Sequence, residues 1–307
     1  MKLLSAFVIP VLFLLGFTDA SAQSPLSLAT QERVMIDAGD INLGATLYRP
    51  AGATGPMPVL VTGHGSSATT RDGVGFYTNL GLRLGFAVLS YDKRGTGESG
   101  GAYVPFSVDT SDAVFRTLAA DHAAATRWLA GRDDIDPARI GYLGGSQAGW
   151  ILPLAVTLLD QVDDPDVAFV VIGEGTPLSA AAEDLHDDVL TEVYERNGDL
   201  TRLDIARGDA SIADTSPGAG YNPDSIWPRY TTPTLWLFGL DDPVIPIQPS
   251  IDRLGDLIEA GQLHHDLHIL AFGDHNFTNT RTNARYDLAP IIDGWIADRV
   301  FAPQTAK

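Results

Sequence analysis

Short apolar runs and amphipathic stretches alternate along most of this chain. Glu32–Asp37 and Asn42–Arg49 predict two strands, joined through the turn residues Ala38-Gly39-Asp40. Val59–Thr62 is a short β-branched run, and Phe86–Tyr91 and Val167–Ile172 have a similar look, which predicts strands buried on both faces. Arg139–Leu143, Thr234–Phe238 and Asp266–Ala271 read as further strands. Helical spacing covers Phe76–Leu84, Asp109–Leu129, Gln147–Leu159, Ser250–Ala260 and Arg285–Arg299, and Gly131 ends the second of these. Strands alternating with helices of this length predict an α/β fold, a mainly parallel sheet with helices on both faces.

The alternation breaks once. From Glu174 to Tyr230 there is no strand signal, only two helical stretches, Ser179–Asn197 and Leu200–Ala210, and then a Gly/Pro/Ser/Asp-rich run, Asp214–Pro223. Residues 174–230 therefore read as a helical cap inserted into a core domain made of 23–173 and 231–307.

The N-terminus follows a different logic. Lys2 precedes an apolar run, Leu3–Phe17, interrupted only by Ser5, Pro10 and Gly16, and Ala20-Ser21-Ala22 supplies a small-x-small cleavage pattern. About 15 apolar residues fall short of the ~20 needed to span a bilayer. Residues 1–22 are expected to be a signal peptide cleaved before Gln23, so the mature protein is secreted or periplasmic, with no membrane span.

The net charge of −19 is unchanged by removing 1–22, which carry one base, Lys2, and one acid, Asp19. This acidity argues against nucleic acid and anionic membranes as partners. The absence of cysteine excludes disulfides, a thiol nucleophile and thiolate metal sites. His264, His265 and His268 with Asp266 resemble a metal cluster. However, strand alternation turns His265 and His268 to opposite faces, and a solvated loop without metal is expected. No cofactor is called for.

The segment richest in chemistry is Gly141-Tyr142-Leu143-Gly144-Gly145-Ser146-Gln147-Ala148-Gly149-Trp150, between a predicted strand and a predicted helix. A sharp turn there holds a serine in strained geometry and needs small neighbours, which Gly144 and Gly145 provide. The helix beyond it aims amide N–H groups at a developing oxyanion. The usual G-x-S-x-G ends here in Ala148, with Gly149 one residue later. Gly63-His64-Gly65-Ser66-Ser67 follows the Val59–Thr62 strand and can supply a second donor. The expected oxyanion donors are the backbone N–H groups of Ser66 and Gln147, and His64 is expected to support its loop. A carboxylate is available at the end of the Thr234–Phe238 strand in both Asp241 and Asp242, the latter fixed before Pro243. His275, in Phe272-Gly273-Asp274-His275-Asn276-Phe277, can act as general base. His122 and His186 have no such context and read as surface or packing residues.

These segments, with Tyr91-Asp92-Lys93-Arg94-Gly95-Thr96-Gly97-Glu98-Ser99, resemble the α/β-hydrolase superfamily over about residues 32–302. His64–Gly73, the Asp-Lys-Arg-Gly loop and Gly-Ser-Gln-Ala-Gly-Trp resemble capped bacterial carboxylesterases more narrowly. The resemblance implies Ser146 as nucleophile, Asp242 as acid and His275 as base, with activity on short acyl esters. Asp274, beside the base, is a departure that can tune its pH profile.

The expected function is hydrolysis of short-chain carboxylic esters through an acyl-enzyme on Ser146, with a small-molecule ester as substrate. A peptidase or amidase of the same fold would need carboxylates to hold an α-amine, and Glu174, Glu183 and Asp184 are available, although they equally suit the solvated face of an acidic cap. An acyltransferase differs only in its acceptor. A non-catalytic binding module is the remaining alternative, which the complete Ser–Asp–His set argues against. The acidic cap and its few large apolar residues predict a preference for uncharged acetyl to hexanoyl groups.

Overall fold

The computed structural model describes residues 24–160, 164–212 and 220–301. The expected signal segment, residues 1–22, lies outside them. A short helix, α1 (Pro25–Leu28), precedes β1 (Thr30–Asp37) and β2 (Asn42–Arg49). Then follow β3 (Met57–Thr62), α2 (Gly75–Arg83), β4 (Ala87–Tyr91), α3 (Ser111–Ala130), β5 (Ile135–Gly145), α4 (Ala148–Leu159) and β6 (Phe169–Gly173). After them come α5 (Ala180–Asn197), α6 (Arg202–Ser211), β7 (Thr234–Gly239), α7 (Ile247–Glu259), β8 (His265–Leu270) and α8 (Ala289–Trp295).

One eight-stranded sheet runs in the order β1-β2-β4-β3-β5-β6-β7-β8. β2 pairs antiparallel with β1 and β4, and every pairing from β4 across to β8 is parallel. Side-chain alternation divides each central strand between two cores. Val59, Val61, Tyr142, Val170, Ile172, Trp236 and Phe238 join one, with Phe115 of α3, Trp150 of α4 and Leu254 of α7. Leu60, Leu143, Phe169, Val171, Leu235 and Leu237 join the other, with Leu80 of α2 and Ile292 of α8. Burial on both faces is why these strands read as continuous apolar runs.

Between β6 and β7 the chain leaves the sheet for α5 and α6. Ser179 caps α5, accepting from Ala182 N, and Thr201 with Asp204 forms a capping box on α6. Tyr221, Ile226, Trp227 and Tyr230, at the end of the stretch read as cap, are buried in the core shared by α3 and α4.

Three elements differ from expectation. β5 starts at Ile135, because exposed Pro137 and Ala138 hide an irregular pairing with β3 between Met57 and Val59. α7 starts at Ile247, because Pro249 falls in the first turn, where no intrahelical N–H is lost. α8 starts at Ala289 rather than Arg285: Thr278 bridges Arg285 in extended backbone, and Pro290 sits in the first turn. The solvated histidine loop is also corrected. His265 is 3% exposed, stacks on Tyr230 with ring planes 4° apart and accepts from Trp236 Nε1 at 3.3 Å. Burial pushes its imidazole down to about 3.

Candidate active site

All of the candidate chemistry lies at the C-terminal ends of the parallel strands. Ser146 follows β5 directly and has φ of +57°, a left-handed conformation that non-glycine residues adopt at a cost. Its N–H reaches the carbonyls of Gly173 and Glu174 at 3.0 and 3.1 Å, which ties the turn to the end of β6. A Cβ at Gly145 would strike the Tyr77 hydroxyl and the Gly173 carbonyl. Ala148 fits at the elbow because Gly63 and Gly144 have no side chain; a Cβ on either would come within 2.9 Å of the Ala148 methyl.

Asp242 and His275 come together. Asp242 is fully buried, and its Oδ1 accepts from Val244 N at 2.7 Å. Its Oδ2 lies 2.8 Å from His275 Nδ1. This bond leaves Nε2 as the nitrogen free to take a proton. No hydrogen bond from Ser146 Oγ accompanies it among the described residues; such contacts often tighten only with substrate bound. Burial disfavours charge on His275, but the Asp242 carboxylate and its hydrogen bond outweigh this, aided by Asp274, and the imidazole pKa is raised. Asp241 turns away. It pairs with Arg202 of α6 and accepts from Thr280.

The Ser66 loop stands over the serine: the Cβ position of Gly65 is 3.8 Å from Ser146 Cβ. Neither the Ser66 nor the Gln147 N–H donates to a backbone acceptor among the described residues, so both are available to an oxyanion. Lys93, 2% exposed, braces this region. Its ammonium bonds the carbonyls of Gly65 and Ser67 and the Gln147 side chain, matching its three donors. Desolvation pushes it down to about 7. The rest of the Asp-Lys-Arg-Gly loop is held by Asp92, which accepts from the Arg71 backbone and guanidinium. His64 is buried, bonds the Tyr91 carbonyl at 2.7 Å and is pushed down to about 3 by burial. It stays neutral and supports the loop. His122 and His186 are fully buried packing residues.

An apolar groove of about 420 Å³ opens beside Ser66 and Gln147, walled by Tyr103, Val104, Val114 and Leu118. Glu174 and Lys93 carry roles that motif reading did not assign. Rather than solvating a cap, Glu174 is 1% exposed at the end of β6. Its signal was available only as an acid directly after a buried strand. Among the described residues, no group of three or more His, Cys, Asp or Glu is placed to hold a metal ion, and no helix is long and apolar enough to cross a membrane.

Solved structures with this architecture include an esterase of Pyrococcus furiosus, at 16% identity and TM-score 0.63 over 92% of this chain and 96% of that one. The acylaminoacyl peptidase of Pyrococcus horikoshii matches at 16% identity and TM-score 0.62 over 91% of this chain and 44% of that one. The chain has the α/β-hydrolase fold. The model of the X-Pro dipeptidyl-peptidase (S15) family matches residues 38–183 of this chain, a span that includes Ser146 and ends before Asp242 and His275. An uncharacterized protein of Mycobacterium tuberculosis is 33% identical over 42% of this chain and 40% of its own length. A probable dipeptidyl-aminopeptidase B of Fusarium vanettenii is 29% identical over 70% of this chain and 21% of its own. The acylamino-acid-releasing enzyme of Arabidopsis thaliana is 28% identical over 69% and 26%. The chain thus spans less than half the length of these curated relatives.

Proposed function

We propose that this α/β-hydrolase is a serine hydrolase of short-chain carboxylic esters, with Ser146 as nucleophile, His275 as base and Asp242 as acid. The observation that carries it is the pairing of His275 with the fully buried Asp242, 2.8 Å long, at the same sheet edge as a serine in strained left-handed geometry. His275 Nε2 takes the Ser146 proton as Oγ bonds the ester carbon, and the carbonyl electron pair moves onto the oxygen. The Ser66 and Gln147 N–H groups receive that oxyanion. Collapse breaks the bond to the alcohol oxygen, which leaves with the proton from His275. Water then repeats the sequence and frees the acid and Ser146. The α5–α6 segment serves as cap.

The leaving group must lie on the His275 side, where it is protonated. The groove beside Ser66 and Gln147 contains neither His275 nor its loop, so it suits the acyl group. Its mostly apolar wall favours an uncharged acyl chain.

A peptidase is the second reading, favoured by the S15 family match and by the names of two relatives. Against capture of an α-amine, Glu174 is buried, and the Glu183 carboxyl is pushed up to about 8 by burial and by Asp187, Asp184 and Asp242. A neutral carboxyl is a poor partner for an ammonium. p-Nitrophenyl esters of graded length, assayed beside aminoacyl nitroanilides with Ser146→Ala as control, test the assignment. Faster nitroanilide cleavage by the same serine would replace esterase with peptidase. We also infer export, with cleavage before Gln23; mass spectrometry of secreted protein that retains Met1 would contradict it.

A further inference from the structure

Glu174 is an acid in an unusual place. Its backbone has φ of +45°, another left-handed non-glycine conformation, one residue beyond β6. This geometry turns the side chain beneath the neighbouring strand, where it is 1% exposed. Oε2 accepts the Gly239 N–H at 3.0 Å. A Cβ on Gly239 would come within 2.8 Å of Oε1, so only glycine leaves room for the carboxyl there. Oε1 meets no donor among the described residues. Gly239, which donates its N–H to Glu174, accepts the Asp242 N–H at 3.1 Å, so the two acids flank one residue with their carboxyls facing. Two ionised carboxylates cannot share such a site, because like charges in a dry environment repel and neither can donate. A single proton between them satisfies both.

We propose that Glu174 is a positioning residue of the catalytic relay: a neutral carboxyl that donates its proton in a hydrogen bond to the Asp242 carboxylate. The inference rests on the Ser146–His275–Asp242 reading above. The Glu174–Asp242 pair then holds one proton and one negative charge. Asp242 Oδ1 is fixed by the Val244 and Ile245 N–H groups and Oδ2 by His275, so the Glu174 donor shares out the remaining carboxylate charge. That moderates the pull of Asp242 on the imidazolium and leaves His275 neutral at a lower pH than an unshared carboxylate would. Burial, followed by the charge of Asp242, raises the Glu174 pKa well above the usual carboxyl range, as the neutral form requires. The other titratable groups facing the pair are Asp274 and His275 after β8, Tyr77 of α2 and Glu183 of α5.

The test is an NMR titration of the His275 ring in the full chain carrying Ser146→Ala, which needs no turnover. Glu174→Gln keeps the shape and always carries a donor, so the His275 pKa should stay within about 0.3 unit of the parent. Glu174→Asn tolerates the left-handed backbone but withdraws the donor by one methylene, and the His275 pKa should rise by roughly half to one unit. In the enzyme with Ser146 intact, the acid limb of kcat should follow the same order while KM stays nearly constant. If Glu174→Gln lowers the His275 pKa, Glu174 was ionised and the proposal fails. An unchanged value in Glu174→Asn also overturns it. Infrared difference spectra between parent and Glu174→Gln give a second measurement: a protonated-carboxyl band lost on substitution is expected, and its absence at neutral pH contradicts the neutral form. If the wild-type chain cleaves no ester, the functional reading fails while the titration still decides the state of Glu174.

Discussion

His275 Nδ1 lies 2.8 Å from Asp242 Oδ2, whereas the adjoining Asp241 faces Arg202 and Thr280 on the outer side of the same turn. The two aspartates follow the same strand, and backbone direction alone separates their roles. Asp242→Asn should lower kcat by ~10³- to 10⁴-fold, because the amide holds the imidazole in the wrong tautomer. Asp241→Asn loosens only a surface pair with α6 and should change kcat less than about threefold. Steady-state kinetics of the two variants checks the ranking, and the reverse order would move the acid to Asp241.

The pH profile follows from the raised pKa of His275. The base must be neutral to accept the serine proton, so activity is lost as pH falls through its pKa. That limb should lie above the ordinary imidazole value of about 6.5. The Asp242 interaction contributes stability below that unfolded-state value, lost as pH rises through the folded pKa. kcat/KM for a neutral ester, followed from pH 5 to 9, reads the limb directly. Lys93 titrates in a neighbouring window, so the limb should persist in Lys93→Met if it belongs to His275.

Lys93 itself should matter through geometry. Its ammonium joins the Gly65 and Ser67 carbonyls to the Gln147 side chain, beside the two expected oxyanion donors. Lys93→Met keeps the bulk and removes the donors. A loss of ~10- to 100-fold in kcat with little change in KM is expected, since a misplaced oxyanion donor acts on the transition state. Unaltered kcat in folded protein would limit Lys93 to a structural role.

Much of this site was legible in the sequence because its parts are local. Gly144-Gly145-Ser146 must turn sharply between a strand and a helix, and the alternation of Val59, Leu60 and Val61 between two cores needs no distant information. What stayed hidden was set by tertiary contact. Nothing near Glu174 in the chain announces that Gly239, at the end of β7, leaves room for its carboxyl. His265 looked solvated among polar neighbours, yet Tyr230, Trp227 and Trp236 enclose it. Lys93 stood inside a motif, but its three acceptors come from two other loops.

Chain-length selectivity should be written in the groove beside Ser66. Val114 and Leu118 stand one turn apart on α3 and face Tyr103 and Val104. Wild-type kcat/KM should rise from acetyl through hexanoyl esters by a few fold per added methylene, each worth about 0.8 kcal/mol only while wall remains. Val114→Trp should flatten that rise and leave acetyl turnover within about twofold. A variant that alters alcohol preference instead would assign the groove to the leaving group.

The central claim is that Ser146 forms the acyl-enzyme. The most direct measurement is intact-protein and peptide mass spectrometry after incubation with a fluorophosphonate, alongside turnover of p-nitrophenyl acetate. One stoichiometric adduct on Ser146 is expected, together with loss of both label and at least ~10³-fold of kcat in folded Ser146→Ala. An adduct on another residue, or near-wild-type turnover by the folded variant, would contradict the account.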